Sequence, residues 1–167
     1  MDISVIICTY NRSGSLRRTL EHIRKMTVSE RVNWELLVVD NNSKDDTPAV
    51  VESFKKSTNI RCRYIFEINQ GLSFARNAGI NNATGEIIVF TDDDVLVDNN
   101  WINNIYDAFK THGDVACIGG KILPAWEKSP PKWLKGELLN ILALCDLGEE
   151  KKYLSEVKVW GANLSFR

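Results

Sequence analysis

The amino-acid sequence predicts an α/β fold with a mostly parallel sheet flanked by helices. Short apolar segments rich in valine and isoleucine alternate with segments whose apolar residues recur every three or four positions. The apolar segments lack regular alternation with polar residues, which is typical of strands buried on both faces of a parallel sheet. Strands that alternate with helices over short connections predict a parallel sheet with right-handed crossovers.

Composition and length limit the class of protein. The 167 residues are 44% apolar and carry a net charge of −1. This length suits a single domain with a sizeable core, and the near-neutral charge argues against a nucleic-acid partner. We expect no signal peptide from the first residues, and no apolar run approaches the roughly 20 residues of a membrane span. We therefore predict a cytoplasmic protein with at most peripheral contact with the inner face of a membrane.

The first strand and helix are predicted at the start of the chain. Residues 3–8 form an apolar run that ends in the turn-rich segment 9–14. Leu16, Leu20 and Ile23 then recur at helical spacing with basic residues between them. This pattern predicts an amphipathic helix that lies on the sheet.

The second strand and helix follow the same pattern. Residues 35–39 contain the run Leu-Leu-Val-Val and lead into a polar segment. Thr47 suits the cap of a helix and Pro48 suits its first position. We expect the apolar face of this helix to consist of Val50, Val51 and Phe54.

A third pair leads to the fourth strand. Residues 63–67 predict a short strand, and Gly71 and Ser73 open a helix that ends before Gly85. The fourth strand, residues 87–90, is entirely apolar. We expect the inward face of the third helix to consist of Phe74, Ala75 and Ala78.

Beyond the fourth strand the pattern changes. A helix capped near Asp98, a strand at residues 115–119, a segment rich in proline and tryptophan at residues 124–135 and an incomplete strand at residues 160–167 are predicted. A further apolar stripe favours a helix packed on the core over one resting on a membrane surface. The stripe consists of Leu134, Leu138, Ile141, Leu142 and Cys145.

Three consecutive carboxylates follow the fourth strand: Asp92, Asp93 and Asp94. Two unit charges about 6 Å apart repel by roughly 3 kcal/mol at an effective dielectric constant of about 20. A hard divalent cation such as Mg²⁺ would offset this repulsion, and we predict Asp94, together with Asp93, as its ligands. Taken alone, the cluster also fits a solvated acidic turn.

Loops that follow parallel strands meet at the carboxyl edge of the sheet, where ligands bind in open α/β folds. There Tyr10 can stack on a flat base, Asp40 can accept a hydrogen bond from a uracil-type imide, and Asp92 can hold ribose hydroxyls. Arg76, in the first turn of the third predicted helix, can face phosphate oxygens. These chemistries together predict a site for a nucleotide-diphosphate sugar. Singly, Tyr10 also fits a rim aromatic and Arg76 a counter-ion for the acids.

Four motifs, in this order, resemble the signatures of family 2 glycosyltransferases, which have the GT-A fold with its Rossmann-like sheet. They are Ser-Val-Ile-Ile-Cys-Thr-Tyr-Asn-Arg at 4–12, Val-Val-Asp-Asn-Asn-Ser at 38–43, Asn-Gln-Gly-Leu-Ser-Phe-Ala-Arg-Asn at 69–77 and Thr-Asp-Asp-Asp at 91–94. The resemblance implies an inverting transferase that uses a nucleotide-diphosphate sugar and Mn²⁺ or Mg²⁺. Asp40 and Tyr10 predict a UDP-sugar, because they suit uracil, although they could also serve thymine. It also places further residues in the donor site: Thr9, Asn11, Arg12, Asn42 and Asp93.

The resemblance also divides the chain by role. It implies a donor-binding part at residues 1–120 and the start of an acceptor-binding part, incomplete here, at residues 121–167. Within the latter, Trp160, Gly161 and Asn163 belong to a segment similar to the acceptor-side Gly-x-Asn motif of the family. The proline- and tryptophan-rich segment resembles subfamilies that build bacterial polysaccharides or glycolipids, which implies a sugar or lipid-linked acceptor.

The catalytic base of the family is an acidic residue beyond the Gly-x-Asn motif. We therefore expect it beyond Arg167, and we expect a carboxyl-terminally truncated chain that binds the donor with little or no transfer. A non-catalytic nucleotide-sugar-binding module is an alternative. A nucleotidyltransferase is another, although residues 9–14 match poorly the Gly-rich basic loop of that class. Gly-x-Gly-x-x-Gly and Walker motifs are absent from the sequence.

Overall fold

A six-stranded sheet forms the centre of the part of the chain that the computed structural model describes, residues 1–148, 150–154 and 159–167. The strands are β1 (Ile3–Thr9), β2 (Trp34–Asp40), β3 (Cys62–Phe66), β4 (Ile87–Asp92), β5 (Cys117–Gly119) and β6 (Leu164–Phe166). Their spatial order is β3-β2-β1-β4-β6-β5. The first four pair in parallel, and β6 pairs antiparallel with both β4 and β5. The predicted α/β fold with a mostly parallel sheet is confirmed.

Helices cover both faces of this sheet. They are α1 (Ser13–Lys25), α2 (Thr47–Ser57), α3 (Leu72–Asn82) and α4 (Trp101–Thr111), with short 3₁₀ helices at Gly136–Leu142 and Gly161–Asn163. Alternate residues of β1 face opposite sides, so Val5 and Ile7 pack with α1, α2 and α4, while Ile6 packs with α3. Each such buried aliphatic side chain contributes about 1.5–3 kcal/mol relative to an exposed one.

The face of α3 that contacts the sheet differs from the prediction. Phe74 is 54% exposed, so its predicted inward position is wrong, whereas Ala75 and Gly79 are buried. A Cβ atom added at Gly79 would lie 2.5 Å from Cγ2 of Ile6. The helix therefore approaches β1 so closely that only small residues fit between them, and the larger Phe74 side chain is turned outward.

The apolar stripe beyond residue 133 does not pack on the core. Leu138, Ile141 and Leu142 are 49%, 73% and 40% exposed, so the predicted core helix is wrong. The segment Gly136–Leu142 forms a 3₁₀ helix, in which side chains recur every third residue. Residues spaced for an α-helical face therefore do not share a face here.

The structure corrects the predicted caps at the starts of two helices. Thr47 is the first residue of α2 and not its cap; its backbone N–H and hydroxyl both donate to the carboxylate of Asp45, at 3.1 and 2.6 Å. Asp98 accepts a hydrogen bond from the backbone N–H of Asn100 at 2.8 Å, just before α4. Both carboxylates satisfy backbone donors that precede or begin a helix.

A buried carboxylate joins the strands at the amino edge of the sheet. Glu35 of β2 is fully buried and accepts hydrogen bonds from the Ser4 hydroxyl at 2.9 Å and from the backbone and side chain of Thr84 at 2.9 and 2.6 Å. The guanidinium of Arg63 lies 3.4 Å away. Burial by itself raises the pKa of Glu35, but these hydrogen bonds outweigh it and hold the pKa below its usual value of 4.5. One charged side chain thus ties β1, β2, β3 and the segment before β4 together.

Replacing Gly85 by alanine is expected to destabilise the fold by about 2–3 kcal/mol, as overpacking does. A Cβ atom there would lie 2.5 Å from the backbone nitrogen of Ser4 and 2.6 Å from the carbonyl carbon of Ile3, and backbone atoms cannot move aside as a side chain can. Chemical denaturation measures the loss. Gly113→Ala, which meets no atom within 4 Å, is the matched control; equal stabilities of the two variants would contradict the prediction.

No helix in the described residues has the length and apolarity needed to cross a lipid bilayer. The cytoplasmic location and the peripheral membrane contact stay predictions.

Candidate functional site

The ends of three neighbouring strands meet at the carboxyl edge of the sheet. The register pairs Thr9 of β1 with Asp40 of β2, and Cys8 of β1 with Asp92 of β4. Polar residues that are far apart in sequence therefore lie side by side. The loops after these strands therefore lie at the same edge, as expected for an open α/β sheet.

The acidic cluster is organised by Arg12. Asp93 is 3% exposed; one of its carboxylate oxygens accepts a hydrogen bond from the Thr9 hydroxyl at 2.7 Å, and the other pairs with Arg12 Nη1 at 2.9 Å. Asp94 is half exposed and pairs with Arg12 Nη2 at 2.7 Å. The hydrogen bond to Asp94 raises the pKa of Arg12 above its usual value. Asp93 is thus held inside the loop, while Asp94 faces solvent.

The cluster retains uncompensated negative charge. Burial raises the pKa of Asp92, and the charge of Asp94 raises it further against the opposing effect of Arg76 and Arg12. Burial also raises the pKa of Asp93, although the Thr9 hydrogen bond and Arg12 oppose this. Repulsion among these carboxylates is the condition that a bound cation would relieve.

The donor atoms present fit Mn²⁺ or Mg²⁺. The cluster offers only carboxylate oxygens, which hard cations prefer. No group of three metal-ligating side chains converges among the described residues. This is consistent with an ion that one or two carboxylates hold together with substrate phosphates, as is usual for Mg²⁺.

Arg76 lies against the Gly-x-Asn segment. It is the fifth residue of α3, one position further into the helix than predicted, and its guanidinium carbon lies 5.4 Å from the centre of the Phe90 ring. A Cβ atom added at Gly161 would overlap Nη2 of Arg76. The absence of a side chain at Gly161 leaves the space that the guanidinium occupies.

Cys8 lies near Arg76 at the end of β1. Burial raises the pKa of the Cys8 thiol to about 12, so the thiol stays protonated and is a poor nucleophile.

Asp40 is fully buried and already hydrogen-bonded. Its carboxylate accepts from the backbone N–H of Ser43 at 2.8 Å and from the Tyr64 hydroxyl at 2.7 Å. Burial and the Asp40 contact raise the pKa of Tyr64. Sequence analysis missed Tyr64, because only the register that places it beside Val38 brings it near Asp40.

The loops after β1 and β2 are joined to each other. The backbone N–H of Asn11 donates to the Ser43 hydroxyl at 2.9 Å, and the backbone N–H of Lys44 donates to Asn11 Oδ1 at 2.7 Å. Asn11 and Asn42 adopt positive φ angles of 52° and 65°, which asparagine tolerates better than most residues. Tyr10 is 45% exposed at the rim of this joined pair of loops.

The three predicted acceptor-side residues have different surroundings. Trp160 is 47% exposed, and Gly161 contacts Arg76 as described above. Asn163 accepts a hydrogen bond from the indole N–H of Trp101 at 2.9 Å and donates to the carbonyl of Lys121 at 3.2 Å. Its amide therefore anchors the segment to α4.

The comparison that identifies the family covers most of the chain. Residues 4–159 match the sequence profile described as "Glycosyl transferase family 2". The chain belongs to glycosyl transferase family 2. This confirms the family that the four sequence motifs indicated.

Two relatives of this chain are longer than it is. The chain is 30% identical over 150 residues to the succinoglycan biosynthesis protein ExoM of Rhizobium meliloti, which covers 83% of this chain and 48% of that protein. It is 26% identical over 170 residues to the glucosyl-dolichyl phosphate glucuronosyltransferase of Haloferax volcanii, covering 100% of this chain and 53% of that protein. The chain thus spans about half the length of these two relatives.

Solved structures share the GT-A fold of family 2. The mannosyltransferase PcManGT from Pyrobaculum calidifontis, in complex with GDP-Man and Mn²⁺, superposes with a TM-score of 0.68 at 22% identity over 98% of this chain and 44% of that one. S. aureus TarS in complex with UDP-GlcNAc superposes with a TM-score of 0.64 at 23% identity, over 79% of this chain and 37% of that one.

Proposed function

We propose that this chain forms the donor-binding part of an inverting hexosyltransferase whose donor is a nucleotide-diphosphate sugar, here a UDP-sugar, and which releases the nucleotide diphosphate. The observation that supports this most is the arrangement of Asp92, Asp94 and Arg76 around the ends of β1 and β4. The relatives' names agree with this class, since one solved neighbour holds GDP-Man and Mn²⁺ and another holds UDP-GlcNAc. The acceptor in this proposal is a polysaccharide or a lipid-linked sugar.

Each part of the donor has a proposed partner. Tyr10 stacks on the base at the exposed rim, and Asp40 accepts the imide N–H once the Tyr64 hydroxyl gives way. Asp92 accepts hydrogen bonds from the ribose hydroxyls. Arg76 donates to the diphosphate and stabilises the charge that develops on it as the sugar leaves.

Asp94 is the main proposed ligand of the metal. It is the most exposed of the three acids, whereas both oxygens of Asp93 are already engaged. Asp93 then acts chiefly by holding Arg12, and through it the orientation of Asp94. A Mn²⁺ or Mg²⁺ ion held there would supply Lewis-acid stabilisation of the leaving diphosphate.

The base that takes the proton from the acceptor hydroxyl stays a prediction of the family resemblance, in the segment after the Gly-x-Asn motif. In this proposal Trp160 and Gly161 border the acceptor side of the donor site. The exposed Trp160 ring offers an apolar face to a sugar, and Gly161 keeps the Arg76 guanidinium in place.

Replacing Gly161 by alanine is expected to weaken UDP binding by about tenfold while leaving the melting temperature unchanged. The added methyl group displaces the flexible end of Arg76, and the lost hydrogen bonds to a charged phosphate are worth about 1.5–3 kcal/mol. Calorimetric titration measures the affinity and thermal unfolding measures the stability. Unchanged UDP affinity in this variant would show that Arg76 does not face the diphosphate.

Competition among nucleotide sugars tests the proposed donor class. UDP-GlcNAc, dTDP-glucose and GDP-mannose are titrated in the presence of Mn²⁺. We expect the uracil and thymine nucleotides to bind and the guanine nucleotide to bind more weakly. Asp40→Asn should remove this preference, because the carboxylate that accepts the hydrogen bond from the imide N–H is lost. A preference for GDP-mannose would overturn the UDP assignment, and binding of none of the three would overturn the proposed function.

A further inference from the structure

A cavity of about 250 Å³ opens between α1 and the segment that follows β5. Thr19 and Arg18 of α1 line one side, Trp126 and Glu127 line the other, and Asp94 lies at its edge. Asp94 therefore belongs both to the acidic cluster and to the wall of this cavity. A ligand in the cavity would therefore lie next to a cation bound by the acidic cluster.

One residue that lines the cavity carries a buried hydroxyl that has no partner among the described residues. Thr19 is fully buried, and its Oγ1 makes no hydrogen bond to any described residue. Buried polar side-chain atoms in native proteins are almost always hydrogen-bonded. A ligand with hydroxyl groups would supply the partner that the protein does not provide.

The remaining walls combine an aromatic ring with charged groups. Trp126 is 44% exposed, and Arg18 forms an ion pair with Glu127 at 2.6 Å that connects α1 to the facing segment. Arg18 retains further N–H donors, and each carboxylate oxygen has acceptor capacity left. Because Arg18 and Glu127 compensate each other's charge, the cavity suits a neutral ligand better than a charged one.

A pyranose sugar has the matching chemistry. One face of its ring presents C–H groups that can pack on an indole, and its rim presents hydroxyls that both donate and accept. At roughly 30 Å³ per water molecule, the cavity has room for about eight waters, which is the size of one sugar ring and not of an oligosaccharide.

We propose that this cavity binds one neutral hexopyranosyl unit of the transfer reaction, with Trp126 as the stacking platform and Thr19 as a hydrogen-bonding partner. The inference rests on the proposed function, because it takes the diphosphate to lie at Asp94. The unit belongs either to the donor or to the end of the acceptor. Trp126 and Thr19 lie outside the donor residues named above, and sequence analysis did not single them out as site residues.

Indole N–H signals in a ¹⁵N-correlated NMR spectrum test the proposal directly. The chain has five tryptophans, and Trp126→Phe identifies the signal of interest. The probes are UDP, UDP-glucose, UDP-GlcNAc and the methyl glycosides of glucose and GlcNAc, each with Mn²⁺. We expect the Trp126 signal to move with a sugar-bearing probe beyond any change caused by UDP.

The probe that moves the Trp126 signal shows whether the bound sugar belongs to the donor or to the acceptor. If the cavity holds the donor sugar, the nucleotide sugars move the signal and the glycosides do not. If it holds the acceptor sugar, a glycoside moves the signal in the presence of saturating UDP. If no probe moves the signal further than UDP does, the proposal is wrong. Failure of UDP itself to bind would instead count against the proposed function.

Two variants separate the cavity from the donor site. We expect Trp126→Ala to lower the affinity for the active sugar probe by about fivefold to tenfold and to leave UDP affinity unchanged. Thr19→Val keeps the shape of the side chain and should weaken the same probe. Trp133→Ala is the matched control, since Trp133 is 65% exposed on the same segment and does not line the cavity. Equal sugar affinities of the Trp126 and Trp133 variants would overturn the proposal.

Discussion

Asp94→Asn is expected to abolish the metal dependence of UDP binding. The amide removes the charge of the most exposed carboxylate in the cluster, and with it the main proposed ligand of the cation. We expect the UDP affinity in Mn²⁺ to fall at least about tenfold, since even the outer partners of a metal ligand are worth about 10- to 100-fold in metal affinity. Calorimetric titration in Mn²⁺ and in EDTA measures both conditions.

The fold should survive this substitution, because Asp94 is exposed and its ion pair with Arg12 lies at the surface. Asp98→Asn is the matched control. Asp98 is an exposed aspartate in the same loop, and its side chain accepts a hydrogen bond from the backbone N–H of Asn100 just before α4. It should bind UDP as the unmodified chain does. A full metal response in Asp94→Asn would show that the metal is held elsewhere.

Glu35→Ala is expected to destabilise the fold by about 3–5 kcal/mol. The substitution leaves the Ser4 and Thr84 donors without an acceptor and the Arg63 guanidinium without its buried partner. Breaking a buried, hydrogen-bonded ion pair by removing one partner costs about that much. Denaturant unfolding followed by circular dichroism measures the loss, and Glu52→Ala on the exposed side of α2 is the control that should unfold as the original does.

The contribution of Glu35 depends on pH in a defined direction. Its pKa in the folded chain lies below 4.5, so the stabilisation is fully present above about pH 4.5 and is lost as the pH falls through the folded pKa. Glu35→Gln cannot titrate. The difference in unfolding free energy between the unmodified chain and Glu35→Gln should therefore be constant from pH 7 to about pH 5 and shrink below it. A difference that grows on acidification would contradict the lowered pKa.

The strands and helices of the first 111 residues could be predicted from local patterns. Leu16, Leu20 and Ile23 of α1 recur at helical spacing and are buried as expected. The outward position of Phe74 could not be foreseen, because it follows from how closely Gly79 approaches Ile6 across a long sequence separation. Beyond residue 133, the 3₁₀ geometry changes which side chains share a face, and an α-helical pattern misassigns them.

The convergence of strand ends could also be predicted, because the carboxyl ends of parallel strands lie at one edge. Thr9, Asp40 and Asp92 occupy neighbouring strand ends for this reason. The contacts of these residues could not be predicted, since they depend on the register and on loop conformations. The Tyr64 hydrogen bond to Asp40 and the contact of Arg76 with Gly161 are examples.

Titration of the unmodified chain with UDP in Mn²⁺ and in EDTA tests most directly whether the acids after β4 bind a nucleoside diphosphate through a divalent cation. We predict saturable binding in Mn²⁺ and at least tenfold weaker binding in EDTA, with the same pattern lost in Asp94→Asn. Equal UDP affinity in the two conditions, or no binding of UDP in either, would contradict the account.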